Sequence, residues 1–363
     1  MTALLAAWLA VAPAALGQDG DAEGPIDPQR MRSAIDGGLD WLADQQITEG
    51  ADAGAFSGGR YPIAVTSISG LAFLAHGHLP EDERFGDTVR SALDYVVAQQ
   101  SPSGYIGNEG MYTHALASLF VFSYLGMCED PDREVELAEW CARALEPIVE
   151  AQGTPKRAYE QGGWRYTPFA SESDVSVTSW QLLTLHAARQ CGFDIDERVI
   201  ARGLRYIDSA WVSTEEVPGA FKYRPGVSQG PEPGVTGAAI AIQHILQPGE
   251  NPRLDQAVSY LDEYEPSWGG PQYEGYFFFV NWYMAQGYLQ HGEEAWARFG
   301  TQTKRVLLGA QAGDGSWPFP PDAREQVVQT GPNYATAMAL LLFGIDNQYL
   351  PMYQRQADLF ERQ

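Results

Sequence analysis

The sequence predicts an all-α protein, an (α/α)6 toroid in which six helical hairpins set an inner ring of helices inside an outer ring. Three observations predict it. First, one phrase recurs six times. Its clearest copy is Gln311-Ala312-Gly313-Asp314-Gly315-Ser316-Trp317, and its aromatic anchors are Phe56, Tyr105, Trp164, Phe221, Trp268 and Trp317. The anchors are separated by 49, 59, 57, 47 and 49 residues, a period that signals a repeat architecture. Second, each copy divides an amphipathic segment from one that is apolar nearly all round. Third, six hairpins supply equal numbers of the two helix types, and closing them into a ring leaves no uncapped end.

The elements follow in order. In the first repeat Met31, Ile35, Leu39 and Leu42 share one helical stripe, and in the second Leu93, Val96 and Val97 do the same. The apolar partners are read at Thr113 to Met127, Thr178 to Cys191, Phe277 to Leu289 and Tyr334 to Phe343. Thr66, Thr113, Thr178, Thr236 and Thr336 stand at or near the starts of inner helices, where a hydroxyl caps free N–H groups. Gly77, Gly126, Gly192, Gly249, Gly292 and Gly344 stand at their ends as stops. Charged Pro connectors such as Leu79-Pro80-Glu81-Asp82 separate the hairpins. The expected organisation is an export signal over 1–17, an acidic linker over 18–30, the toroid over 31–350 and a tail over 351–363.

The chain has 363 residues, 45% of them hydrophobic and 12% aromatic, enough for a large core. Its formal net charge of -24 disfavours nucleic acid and anionic membrane surfaces as partners. The apolar run Leu4 to Val11, with Ala15-Leu16-Gly17 before Gln18, reads as an export signal, although no Lys or Arg precedes it. That places the protein in the periplasm or outside the cell. The later chain has no apolar stretch of transmembrane length. Three cysteines make no complete disulfide framework; Cys128 and Cys141 flank a loop and could pair in an oxidising compartment.

Candidate functional residues gather in the loops. Arg60-Tyr61-Pro62, Arg165-Tyr166-Thr167-Pro168 and Lys222-Tyr223-Arg224-Pro225 repeat a basic-aromatic-proline pattern near inner-helix N-termini, where a cup of N–H groups and cations suits an anion. Each basic residue could equally stack on its Tyr or pair with Glu160 or Glu172. Asp174 is a candidate acid or base, or simply a cap for the helix opening at Thr178. His114, beside Tyr112, is placed to reach the axis. His76, His78, His186, His244 and His291 fall late in second helices, where a cation suits the dipole. Tyr276, Trp282 and their neighbours crowd the fifth repeat. With Tyr112, Trp164 and Trp317 they are the candidate aromatic lining, core packing being the alternative. No Cys/His cluster has metal spacing, and neither metal nor cofactor is expected.

The Gln-x-x-Asp-Gly-Ser-Trp phrase, together with Gly162-Gly163-Trp164-Arg165-Tyr166-Thr167-Pro168, resembles the prenyltransferase and squalene-oxidase repeats of the squalene cyclase and protein prenyltransferase superfamily. That resemblance implies a central cavity opening at the inner-helix N-termini. It does not bring the family's chemistry with it. The cyclase acid phrase Asp-x-Asp-Asp-Thr corresponds to Asp174-Val175-Ser176-Val177-Thr178, which retains one acid. The zinc segments of the prenyltransferases correspond to Glu274-Gly275-Tyr276 and Tyr334-Ala335-Thr336, without thiolate or imidazole. The expected function is therefore an exported toroid that binds an apolar or extended ligand in an aromatic cavity. Alternatives are an isoprenoid enzyme using Asp174, His114 and Tyr334, and a glycan-directed toroid.

Overall fold

The computed structural model describes residues 24–247, 249–273, 275–321, 323–324 and 330–355. The proposed export signal, the first part of the acidic linker, Glu274 and the end of the tail lie outside the described residues. Six outer helices alternate with six inner ones. The outer set is α1 (Pro28–Asp44), α3 (Gly86–Val97), α5 (Pro131–Gly153), α7 (Glu197–Ser209), α9 (Pro252–Leu261) and α11 (Glu293–Ala310). The inner set is α2 (Pro62–Ala75), α4 (Met111–Leu125), α6 (Val175–Gln190), α8 (Pro233–Leu246), α10 (Phe277–His291) and α12 (Gly331–Gly344). Each inner helix packs on the next, and α12 returns to α2, so the ring is closed. A two-residue antiparallel ribbon, β1 (Trp211–Val212) with β2 (Ala220–Phe221), braces the fourth hairpin. Helix α1 begins three residues before the predicted boundary because Asp27 accepts a hydrogen bond from the Gln29 N–H and Pro28 fills the first turn.

The recurring phrase is a clamp. In four repeats the Gln side-chain amide donates to two carbonyls, one on its own turn and one on the next outer helix. Gln46 reaches Gly54 and Thr88, Gln100 reaches Gly104 and Trp140, and Gln152 reaches Gly162 and Val199. Gln311 reaches Gly315 and Ala34, which ties the last outer helix to the first. Turn glycine is required because the next outer helix is pressed against it. At Gly104 (φ 79°) an added Cβ would lie 2.0 Å from the Arg143 carbonyl oxygen.

The threonines play a different part from the predicted one. They sit one turn inside the inner helices, and their hydroxyls accept the N–H of the loop anchor. Phe56 donates to Thr66, Trp164 to Thr178, Phe221 to Thr236 and Trp317 to Thr336. In the second repeat the buried anchor is Ile106 rather than Tyr105, and its N–H goes to the Nδ1 of His114. Thr113 departs from this pattern, its hydroxyl donating to Glu109. The Trp164 and Trp317 indoles donate to Ile148 and Leu307 on the outer helices, so both rings pin each hairpin from within.

The inner helices are not evenly spaced. Helices α8 and α10 meet backbone to backbone: a Cβ at Gly237 would lie 2.6 Å from the Tyr283 carbonyl oxygen, and one at Gly287 2.7 Å from that of Gly237. At the far end of the barrel, residues 345–355 fold back beneath the ring. Leu350, Pro351, Met352 and Tyr353 are buried against α4 and α6, so the packed body extends past the predicted limit at 350. Three histidines expected as dipole cations are neutral instead. His76 and His186 are buried and donate to the Leu340 and Gln354 carbonyls, and burial lowers each, like His244, to about 4. Cys128, Cys141 and Cys191 are free thiols.

Candidate functional site

The inner helices open toward one end, and the basic-aromatic loops lie there. Asp174 is the N-cap of α6. One of its carboxylate oxygens accepts the Val177 N–H at 2.7 Å and the other the Arg165 guanidinium at 2.7 Å. Burial pushes Asp174 up to about 6, against the Val177 bond and Arg165, which hold it down. Arg165 lies over the Tyr166 ring at 4.3 Å and donates to the Tyr223 hydroxyl, which also hydrogen-bonds Tyr166. A second cation in this corner, Arg224, pairs with buried Glu160 at 2.7 Å, and Glu160 also receives the Ser173 N–H. Arg165 and Arg224 are thus spent on loop carboxylates and rings.

The axis itself is bridged by side chains from helices that are not ring neighbours. Tyr112 of α4 meets Phe279 of α10, on the opposite side of the ring, at 6.1 Å between ring centroids. Trp180 of α6 stacks on Trp282 of α10 at 4.5 Å and 8°. The Tyr112 hydroxyl bonds Ser176, which is also 3.2 Å from the Tyr283 hydroxyl. These contacts turn Tyr112 on α4, Ser176 and Trp180 on α6, and Phe279 and Trp282 on α10 toward the axis. Leu116 stands one helical turn beyond Tyr112, and Ala64 with Ile68 on α2 and Tyr334 with Met338 on α12 have the same i,i+4 spacing. Ala64 keeps 9% exposure, Tyr334 8% and Leu116 6%, Tyr112 and Phe279 are half-buried, and Trp282 keeps 0%.

The structure sorts the predicted residues. It brings Arg165, Tyr166 and Asp174 into one corner and sets Tyr112 against Tyr166 at 5.9 Å. Tyr276 is exposed beside the opening of α10. Tyr334 stacks on Phe319 at 6.1 Å. Arg60 is exposed with its guanidinium 5.8 Å from the Tyr61 ring, and Lys222 donates to the Val227 carbonyl. His114 does not reach the axis. Its Nε2 donates to Ala144 on α5, its Nδ1 is occupied by Ile106, and burial lowers it to about 4. Trp164 and Trp317 are buried inside their hairpins, and Trp282 is sealed within the barrel. The sequence reading missed Trp180, Leu116, Ala64 and Ile68. Their i,i+4 spacing was visible, but on helices apolar all round no periodicity shows which stripe faces inward. Among the described residues, no group of three or more His, Cys, Asp or Glu is placed to hold a metal, and no helix is long and apolar enough to cross a membrane.

No family model and no curated protein matches this chain. Solved structures do. The α-1,6-mannanase GH76A of Salegentibacter sp. HEL1_6 superposes with a TM-score of 0.60 at 11% identity, covering 86% of this chain and 98% of that one. The type II terpene cyclase MstE of Scytonema, in complex with merosterolic acid A, gives 0.56 at 15% identity over 89% and 98%. A possible GH105 family member from Salmonella enterica serovar Paratyphi A gives 0.56 at 11% identity over 89% and 94%. The shared property is the α/α toroid. At these identities the likeness establishes the fold, which serves sugar and terpene chemistry alike in those proteins.

Proposed function

We propose that this chain is a binding toroid for an apolar, extended ligand, admitted at the mouth where the inner helices begin. The observation that carries the reading is the character of the axial stripes. Ala64, Ile68, Leu116 and Met338 offer only carbon and sulfur, Tyr112, Tyr334 and Phe279 offer rings, and the carboxylate beside them, Glu109, is engaged by the Ile63 and Ala64 N–H groups and by Thr113. The same geometry weighs against alkene protonation. Asp174 has both oxygens engaged and no exposed surface, so no face is left for a substrate. His114 faces outward. The clamp and anchored turn support kinship with the prenyltransferase and squalene-oxidase repeat proteins, and the apolar run Leu4 to Val11 supports export.

The test is native mass spectrometry of the protein purified from its own host, followed by solvent extraction. A stoichiometric isoprenoid or other apolar compound supports the proposal. A Leu116→Trp variant should lose the compound while folding normally. If nothing apolar co-purifies and α-mannooligosaccharides bind instead, the glycan reading replaces this one. If squalene or a prenyl diphosphate is turned over, and Asp174→Asn abolishes the turnover, the protein is an enzyme.

A further inference from the structure

Beneath the mouth, the barrel holds polar side chains whose hydrogen-bonding capacity is unused. The Nε1 of Trp180 and both amide atoms of Gln286 are buried and make no hydrogen bond, and the buried Nε1 of Trp282 and hydroxyl of Tyr353 have no partner but each other. They lie together. Trp180 and Trp282 are stacked face to face. Trp282, Gln286 and Gln290 follow one another at successive turns on a single face of α10. Tyr353 touches the first of these through its phenol and the third through its carbonyl, which accepts the Gln290 amide at 2.6 Å, so Gln286 lies alongside it. Burial pushes the Tyr353 phenol up, and the neighbouring Trp282 indole eases the shift.

Buried polar atoms are ordinarily paired, and such a concentration on the axis of a ring is the pattern of a site awaiting a partner. The chemistry of the four side chains defines that partner. Each indole can only donate, so the cluster is rich in donors and asks for an oxygen that accepts. None of the four carries a charge near neutral pH, and a carboxylate or phosphate set among them would be buried without a counter-charge. Arg355, the cation at this end, is engaged with the Gln290 carbonyl and side chain. A neutral hydroxyl or carbonyl satisfies the set: it accepts from an indole, and a hydroxyl can also donate to the Gln286 oxygen.

We infer that this cluster receives the neutral oxygen terminus, alcohol or carbonyl, of a long apolar ligand whose body lies along the stripes of α2, α4 and α12. The inference rests on the binding reading above and adds the ligand's chemical class and its orientation, head down. Tyr353 is the side chain that gives way, being the only one of the four carried by the folded-back end of the chain rather than by a ring helix.

The experiment is a calorimetric titration of the full chain with farnesol and with the hydrocarbon farnesene, in the natural sequence and in Gln286→Leu and Tyr353→Phe. In the natural sequence the alcohol should bind about tenfold more tightly, the worth of one net hydrogen bond or two. In Gln286→Leu the preference should fall to about twofold or less. Tyr353→Phe, which keeps the ring and removes one oxygen, should reduce it by about threefold and decides the matter if Gln286→Leu fails to fold by circular dichroism. Equal binding of the two compounds in the natural sequence, or a preference unchanged in the folded variants, overturns the head-group assignment and leaves the binding toroid standing. Binding of neither compound removes both.

Discussion

Replacing Gly104 by Ala tests the clamp at its tightest point. Two costs add. The residue has φ 79°, and holding an L side chain in the left-handed region costs about 1 kcal/mol. The new Cβ would also lie 2.0 Å from the Arg143 carbonyl oxygen and 2.7 Å from its carbon, both backbone atoms of α5 that cannot swing aside. The turn must therefore lift from α5, stretching the Gln100 bonds to Gly104 and Trp140, worth about 1 kcal/mol each, and loosening the buried Ile106. The total is about 3–5 kcal/mol. With an unfolding entropy of about 2 cal/mol/K per residue, a chain of this length should lose about 5 °C in Tm. Two controls separate the terms. Gly192 has φ 84° and open space around its Cβ, so Gly192→Ala should cost about 1 kcal/mol. Gly153 ends α5 in open space, so Gly153→Ala should be neutral or slightly stabilising. Scanning calorimetry of the three variants is the assay. If Gly104→Ala and Gly192→Ala shift Tm equally, the contact with α5 carries no weight and the clamp is not what holds the outer ring.

Gln311→Ala removes the bonds that join α11 to the Ala34 carbonyl of α1. It should cost about 2 kcal/mol, with hydrogen exchange rising first in α1; protection lost evenly around the ring would count against a seam there. His114→Thr restores the residue that four other repeats use to hold their anchors. It keeps the Ile106 bond and loses the one to Ala144, so chemical denaturation should show a loss of about 1–2 kcal/mol with ligand binding unchanged; lost binding would return His114 to the site. Acid should unfold the protein steeply. His76, His114, His186 and His244 are lowered to about 4, whereas the unfolded chain takes up these protons near 6.5, so their contribution is complete above 6.5 and is lost as pH falls toward 4. Asp174, pushed up to about 6, runs the other way, its contribution growing as pH falls below 6. Glu109 and Asp208, also raised by burial, add to that opposing contribution, and the four histidines set the sign, so stability should fall as pH drops below 6.5. Urea midpoints at pH 7, 6 and 5 check the slope, and flat midpoints would mean the histidines are not buried neutral.

The ring was legible because its signal is repeated. The Gln, the turn glycine and the anchor recur at about 50 residues, and in four repeats the Gln does the same mechanical work. The roles assigned to single residues were less legible. Threonine near a helix start suggests a cap, and only the structure shows that the hydroxyl turns back to a loop N–H. His114 looked placed for the axis because it opens an inner helix beside Tyr112, yet it occupies the threonine's place and accepts the same kind of bond. Trp164 and Trp317 looked like lining because they stand in loops near inner-helix starts. Here their N–H groups point to outer-helix carbonyls. The axial stripes escaped detection for a physical reason. A helix buried on every side has no polar face to mark which way is in, so inward and outward residues of α4 or α10 differ only in what they touch.

The backbone contact between α8 and α10 makes the barrel lopsided in its mechanics. Two helices joined through Gly237 and Gly287 leave no intervening side chain to rearrange, so that arc of the wall behaves as a fixed keel. The arc formed by α12, α2 and α4 is spaced by ordinary side chains, which can shift rotamers and let their helices slide. Any swelling of the interior is therefore one-sided, taken up by the pliant arc while the stiff one holds Trp282 in place.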